Sequence, residues 1–233
     1  PVREGRARGF ASSRMEIWEN TDPDRTGTPD TYLDLGAGFA GIVEWALDVP
    51  MLFVVRDGAY VDVSGTTFRR FLAGDLPDLV PTMGDWNLHV STLFPDVRLK
   101  RYIEVRTADA GRPAQLLALP ALWKGVLYDE VAMRRAESLL RHDVDALRAF
   151  AARAARAGLA DPQVRELARE LVGIAGEGLD RQAGDAPSER EFLAPLLDVA
   201  GEPVDQAAAM QGLWETTGGD RDSMLAAWAI QLG

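Results

Sequence analysis

Two textures divide this 233-residue sequence, and together they predict an α+β fold. The first is a series of short apolar runs separated by turn signals. It is clearest over residues 51–63, where MLFVV, then Arg56-Asp57-Gly58, then AYVDVS reads as a β-hairpin. The second begins at Pro113, where LLALPALWKGVLYDEVAMRRAESLLRHDVDALRAFAARAARAG is rich in Ala, Leu and Arg at helical spacing. The predicted organisation is a sheet-bearing part over residues 1–127 and a helical part over 128–233.

Taken in order, Ser12 to Glu19 reads as a strand, followed by the polar, turn-rich loop NTDPDRTGTPD. A short helix fits Gly41 to Leu47. After the hairpin, Thr66 to Leu72 reads as one or two helical turns and Asp85 to Leu93 as another helix. Residues 98–109, RLKRYIEVRTAD, read as a strand with Leu99, Ile103 and Val105 on one face and Lys100, Tyr102, Glu104 and Arg106 on the other, because side chains alternate along a pleated backbone. Further on, Asp161-Pro162 supplies a helix cap followed by proline at the first helical position. GDAPSEREF starts another helix, and two short ones fill the end.

Composition bounds the function. Hydrophobic residues make up 47 % and charged residues 26 %, as in an ordinary globular chain. The net charge of −11 lacks the positive field that nonspecific nucleic-acid binding needs. No apolar run approaches the length of a membrane helix, and nothing resembles a signal peptide. With no cysteine, disulfides, thiolate metal sites and a catalytic thiol are excluded, and a reducing cytoplasm is the expected location. A chain beginning at Pro1 without an initiator Met suggests a processed chain or a fragment.

GAGFAG at residues 36–41 matches G-x-G-x-x-G, but the preceding TYLDL is short and half polar and the following helix is too short to cross a sheet. A dinucleotide fold is therefore not expected. His89 and His142 are the two histidines. His142 sits among charges and is read as solvent-facing, whereas His89 is read as a hydrogen-bonded core or rim residue. Arg14, Glu16 and Trp18 alternate as Lys100 to Arg106 do. If both segments share a sheet, one face gathers cations dense enough to repel unless an anion lies between them. The Glu104-Val105-Arg106 spacing suits phosphoryl chemistry: a carboxylate can hold a divalent cation, and a guanidinium two residues on can fork onto phosphate oxygens.

The strings ENTDPDRTG, ALDVPMLFVVRDGAYVDVSGTTFRRFLAG, DWNLHVSTLFPDVRLKRYIEVRTAD and LALPALWKGVLYD, in this order, resemble the C-terminal half of the plant and proteobacterial type of glutamate–cysteine ligase. These enzymes are glutamine-synthetase-like carboxylate–amine ligases. The likeness runs from about Gly9 to Asp129, and FLAPLLDVA resembles the closing region of the family. The resemblance implies part of a glutamine-synthetase-like antiparallel sheet with helices, followed by a helical region. It also implies ATP and Mg2+, with glutamate phosphorylated on its γ-carboxylate and then attacked by the amine of cysteine to give γ-glutamylcysteine.

Carried over by position, Glu104 matches the magnesium-holding carboxylate and Arg106 the guanidinium that meets the transferring phosphoryl. Lys100, Tyr102 and Arg106 face the nucleotide. Arg14 and Trp18 belong to the S-x-R-x-x-x-W string at the glutamate site, with Arg25 of DPDRTG beside it. Arg98, Arg101 and His89 lie in matching strings. Thr107-Ala108-Asp109-Ala110-Gly111-Arg112-Pro113 departs from the family's G-A-D-G-G-P, and the cysteines that regulate many members are missing. Part of the string leans towards actinobacterial relatives that make γ-glutamylcysteine for ergothioneine, which leaves the pathway open. The expected partners are these small molecules and a missing N-terminal half, with no nucleic acid, no membrane and no assigned oligomeric state. The alternatives are a sister ligase with another amine acceptor and a noncatalytic structural fragment.

Overall fold

Side-chain oxygens set where many helices of this chain begin. Thr67, Thr82, Asp129, Asp143, Asp161 and Asp220 each accept a backbone N–H two or three residues on, satisfying donors that a helix start leaves open. The computed structural model describes residues 2–34, 36–140, 143–201 and 206–229, so His142 lies outside the described residues. The chain packs as two compact units, residues 15–108 and residues 1–14 together with 109–233. Mixed helices and short strands give the α+β class that the sequence predicts.

At the N-terminus β1 (Val2–Arg3) pairs antiparallel with β2 (Arg6–Ala7). The predicted strand at Ser12 to Glu19 is instead helix α1 (Arg14–Glu19). Alternation makes a strand only where a neighbour completes the ladder. Among the described residues no strand pairs with this segment, and Arg, Met and Glu favour a helix. β3 (Thr26–Gly27) follows, then α2 (Asp30–Leu33) and α3 (Gly38–Asp48). A helix rather than a strand thus precedes GAGFAG.

β4 (Phe53–Arg56) and β5 (Ala59–Asp62) form the predicted hairpin, with Val54 opposite Val61. Its turn residues have positive φ, 50° at Asp57 and 78° at Gly58, the combination a tight primed turn demands. α4 (Phe68–Leu72) and α5 (Met83–Ser91) match the predicted helical turns within a few residues. β6 (Phe94–Pro95) pairs parallel with β3. Residues 98–109 are not one strand. β7 (Val97–Leu99) and β8 (Ile103–Val105) form an antiparallel hairpin around Lys100, Arg101 and Tyr102. The ladders of the described residues are therefore two-stranded, and the single face expected to join Arg14, Glu16 and Trp18 to residues 100–106 does not form.

In the 15–108 unit, Met51, Val54, Val63, Phe68 and Phe71 make the main core cluster. Arg56 ties its hairpin to α5: Nη1 and Nη2 donate to the two oxygens of Asp85 at 2.7 and 2.9 Å. Asp85, 4 % exposed, also accepts from the backbone N–H and hydroxyl of Thr82. His89 is 3 % exposed and stacks on Phe68, and its Nε2 lies 2.7 Å from the carbonyl of Ala46. A carbonyl only accepts, so the proton sits on Nε2. This is the core histidine that the sequence predicts.

The second unit is built on α6 (Pro113–Leu127), α7 (Glu130–Leu139), α8 (Val144–Ala157), α9 (Pro162–Ala183), α10 (Ala194–Gly201), α11 (Gln206–Thr216) and α12 (Arg221–Trp228). Asp161 caps α9 with Pro162 next to it, as predicted. Helices α6 and α9 meet backbone to backbone. A Cβ on Gly178 would lie 2.0 Å from the carbonyl oxygen of Gly125, and one on Gly125 would lie 2.3 Å from that of Ala175. Ala121, Val126, Ala175, Leu179 and Leu193 fill the core around this crossing.

Two stability measurements follow from this packing. Gly178→Ala forces two helix backbones apart and lowers the unfolding free energy in urea by about 3 kcal/mol. Gly173→Ala on the same helix, where the added Cβ meets nothing within 4 Å, raises it by about 0.5–1 kcal/mol. Burial holds the His89 imidazole below its ordinary 6.5, against the opposing hydrogen bond to Ala46. The folded state therefore takes up a proton at lower pH than the unfolded chain. The contribution is fully present above pH 6.5 and is lost as pH falls below it, at up to about 1.4 kcal/mol per pH unit. Urea titrations from pH 7.5 to 5 with His89→Gln should show this slope flattened; an unchanged slope would place the histidine in water.

Candidate functional site

The hairpin β7–β8 sets the site. Its register places Arg98 directly across from Glu104, so the two side chains stand together on one face. Arg98 donates through Nε and Nη2 to Oε2 of Glu104 at 3.0 and 2.9 Å. Lys100 reaches the same oxygen from the loop, with Nζ at 3.0 Å. Arg106 continues the face beyond β8, its Nε 4.0 Å from Oε1. Three cations thus surround one carboxylate, a local excess of two positive charges (3 − 1) on a chain whose net charge is −11. Lys100 first, and then Arg98, hold the Glu104 carboxyl below its ordinary value.

Aromatic faces carry the guanidinium groups. Trp18 and Phe94 stack with centroids 6.5 Å apart. Arg106 lies 5.3 Å from the Phe94 ring and 5.8 Å from that of Trp18, and Arg98 lies 5.8 Å from Phe94. Such contacts orient a guanidinium without neutralising it. Lys100 sits 5.6 Å from the ring of Tyr102, which is 63 % exposed at the rim.

The support beneath is polar. Arg25 is buried and donates to Asp22 through Nε, to Thr92 Oγ1 through Nη1 and to the Pro50 carbonyl through Nη2. Its own carbonyl accepts from Phe94 N, and Gly27 accepts from Asp96 N at 2.7 Å. The Asp96 carbonyl in turn accepts from Arg106 N at 2.9 Å, and its carboxylate accepts from the Thr28 hydroxyl. The Thr26 hydroxyl sits between two carbonyls, 2.6 Å from that of Asp22 and 2.8 Å from that of Trp18, bridging the loop to the end of α1. The DPDRTG loop thus positions Trp18, Phe94 and Arg106 together.

Of the residues singled out in the sequence, the structure brings Trp18, Lys100, Glu104 and Arg106 into one cluster, with Tyr102 at its edge and Arg25 below it. Arg14 opens α1, one helical turn before Trp18. Sequence reasoning missed Phe94 as a platform and gave Arg98 no role. The six-residue spacing of Arg98 and Glu104 would have revealed their pairing had Lys100-Arg101-Tyr102 been read as a turn, but no Gly, Pro or Asn marks one.

The cluster suits anionic oxygens. Nη1 of Arg106 is buried without a hydrogen-bond partner among the described residues, a donor awaiting an acceptor. For a divalent cation this chain contributes less. Glu104 offers one carboxylate, and no group of three or more acidic or histidine side chains converges among the described residues. Glu104 fits a cation whose remaining ligands come from phosphate oxygens, water or other carboxylates.

The family model for glutamate-cysteine ligase family 2 (GCS2) matches residues 1–215. The chloroplastic glutamate–cysteine ligase of Medicago truncatula is 38 % identical over 230 residues, covering 92 % of this chain and 44 % of that protein. The chloroplastic enzyme of Brassica juncea is 44 % identical over 190 residues, 78 % of this chain and 37 % of its own. That of Arabidopsis thaliana is 42 % identical over 190 residues, 78 % and 36 % respectively. The chain therefore spans less than half the length of these relatives. Their chloroplastic names overturn the cytoplasmic location expected above: a lack of cysteine constrains disulfide chemistry, not the compartment. By its match over nearly the whole sequence, the chain belongs to glutamate–cysteine ligase family 2.

Proposed function

We propose that this chain supplies part of the active site of an ATP-dependent ligase that joins the γ-carboxylate of glutamate to the amine of cysteine. The observation that carries the reading is Glu104 ringed by Arg98, Lys100 and Arg106. Family membership and the names of the relatives support the same chemistry.

In this reading a γ-carboxylate oxygen of glutamate attacks the terminal phosphorus of ATP. The bond to the bridging oxygen breaks, and ADP and γ-glutamyl phosphate form. The cysteine nitrogen then attacks the acyl carbon, inorganic phosphate leaves with the C–O bonding pair, and the nitrogen loses its proton. Negative charge builds on the phosphoryl oxygens in the first step and on phosphate in the second. Arg106 donates to those oxygens from its aromatic seat, with its orientation fixed before the reaction. Lys100 neutralises a neighbouring phosphate as a mobile point charge. A magnesium ion held partly by Glu104 would screen the triphosphate. Arg25 acts as a positioning residue, and Arg14 and Trp18 serve the glutamate side. With one candidate metal carboxylate here, the remaining ligands and much of the nucleotide pocket come from the portion that the longer relatives have in addition.

The test is ADP release by the full-length protein carrying this sequence, given ATP, Mg2+ and glutamate with and without cysteine. Cysteine-dependent release is expected, and no measurable turnover from residues 1–233 alone. Glu104→Gln and Arg106→Ala in the full-length protein should each reduce turnover at least about 100-fold, equivalent to about 2.7 kcal/mol of barrier. Their unfolding should shift by no more than about 1 kcal/mol, as befits partly exposed ion pairs. Release driven by another amine would move the acceptor. Silence with every amine, or lost folding with unchanged specific activity, would overturn the assignment.

A further inference from the structure

Beside the cation cluster, the 15–108 unit contains an apolar cavity of about 200 Å3. Its walls come from α3, α5 and β7, with Phe39, Trp45, Trp86, Val90 and Leu93 prominent among them. Trp45 is braced edge-on by Tyr32 at 5.9 Å, so the aromatic wall is set before anything enters. Phe39 and Val43 are 76 % and 45 % exposed, an apolar surface left in contact with water. Among the lining residues Arg98 alone is charged. Its Nε and Nη2 are committed to Glu104, whereas its Nη1 makes no hydrogen bond among the described residues.

We propose that this cavity binds a small aromatic or branched aliphatic carboxylic acid, the apolar body against Trp45 and Trp86 and the carboxylate on Arg98. The size fits: a cavity of about 150 Å3 accepts benzene, and the additional volume accommodates a short acid arm. The charge fits as well, since an apolar wall with one guanidinium selects an amphipathic anion over a neutral hydrocarbon. Arg98 lines the cavity while its Nε and Nη2 hold Glu104, so a ligand carboxylate at Nη1 and the Glu104 carboxylate share one positive charge and each weakens the other's hold. Occupation of the cavity therefore loosens the pair at the centre of the cluster.

Binding is read from tryptophan fluorescence of the intact protein, without nucleotide or turnover, so it stands or falls separately from the ligase assignment. 3-Phenylpropanoate should give saturable quenching, and 3-phenylpropanol should bind about tenfold more weakly, the difference a charge-assisted hydrogen bond makes. Val43→Trp should fill the cavity and abolish binding of both. Arg98→Met, which keeps an apolar stem, should bring the acid to the level of the alcohol. Glu104→Gln removes the competing charge and should tighten the acid severalfold while leaving the alcohol unchanged, a gain that misfolding cannot mimic. Equal binding of acid and alcohol, no saturation in the millimolar range, or an acid affinity unmoved by Glu104→Gln would each overturn the proposal.

Discussion

Crowding three cations onto one small face is unfavourable unless something holds them apart and something negative lies between them. In this chain Glu104 does the second and the Trp18–Phe94 stack does the first. The β7–β8 register brings Arg98 and Glu104 together, the aromatic faces fix the planes of Arg98 and Arg106, and Lys100 closes the ring from the loop. Everything beneath serves this arrangement. The buried Arg25 stitches a loop of little regular structure to the strand that delivers Phe94, and Asp96 connects that strand to Arg106. The charge surplus is thus built into the backbone topology rather than left to flexible side chains.

Where local chemistry decides structure, the sequence was legible. Asp57-Gly58 demanded positive φ and produced the hairpin, and Asp161-Pro162 capped a long helix. Thr82 and Asp85 closed a reciprocal cap just ahead of the predicted helix start. The failures came where two local readings were equally good. Arg14 to Glu19 alternates like a strand yet contains strong helix formers, and only the absence of a pairing neighbour among the described residues decides it. Lys100 to Tyr102 bends without a turn residue because the hydrogen bond from Lys100 N to the Tyr102 carbonyl closes the loop.

The candidate site shows the same division. Glu104, Arg106, Lys100 and Trp18 were picked out by residue type and by family resemblance, and they converge. The roles of Phe94 and Arg98 depend on pairing across the chain, which spacing alone does not disclose. The expected common sheet face failed for the same reason: it required a long-range strand partner, whereas the described ladders each join two short segments.

Asp85 serves two masters. It caps α5 through Thr82 and at the same time grips Arg56 at the end of β4, all through one buried carboxylate. Neither element can open without the other losing its counter-charge. Helix and hairpin are thereby fused into one cooperative unit, whose backbone amides should exchange with solvent together rather than fraying from their separate ends.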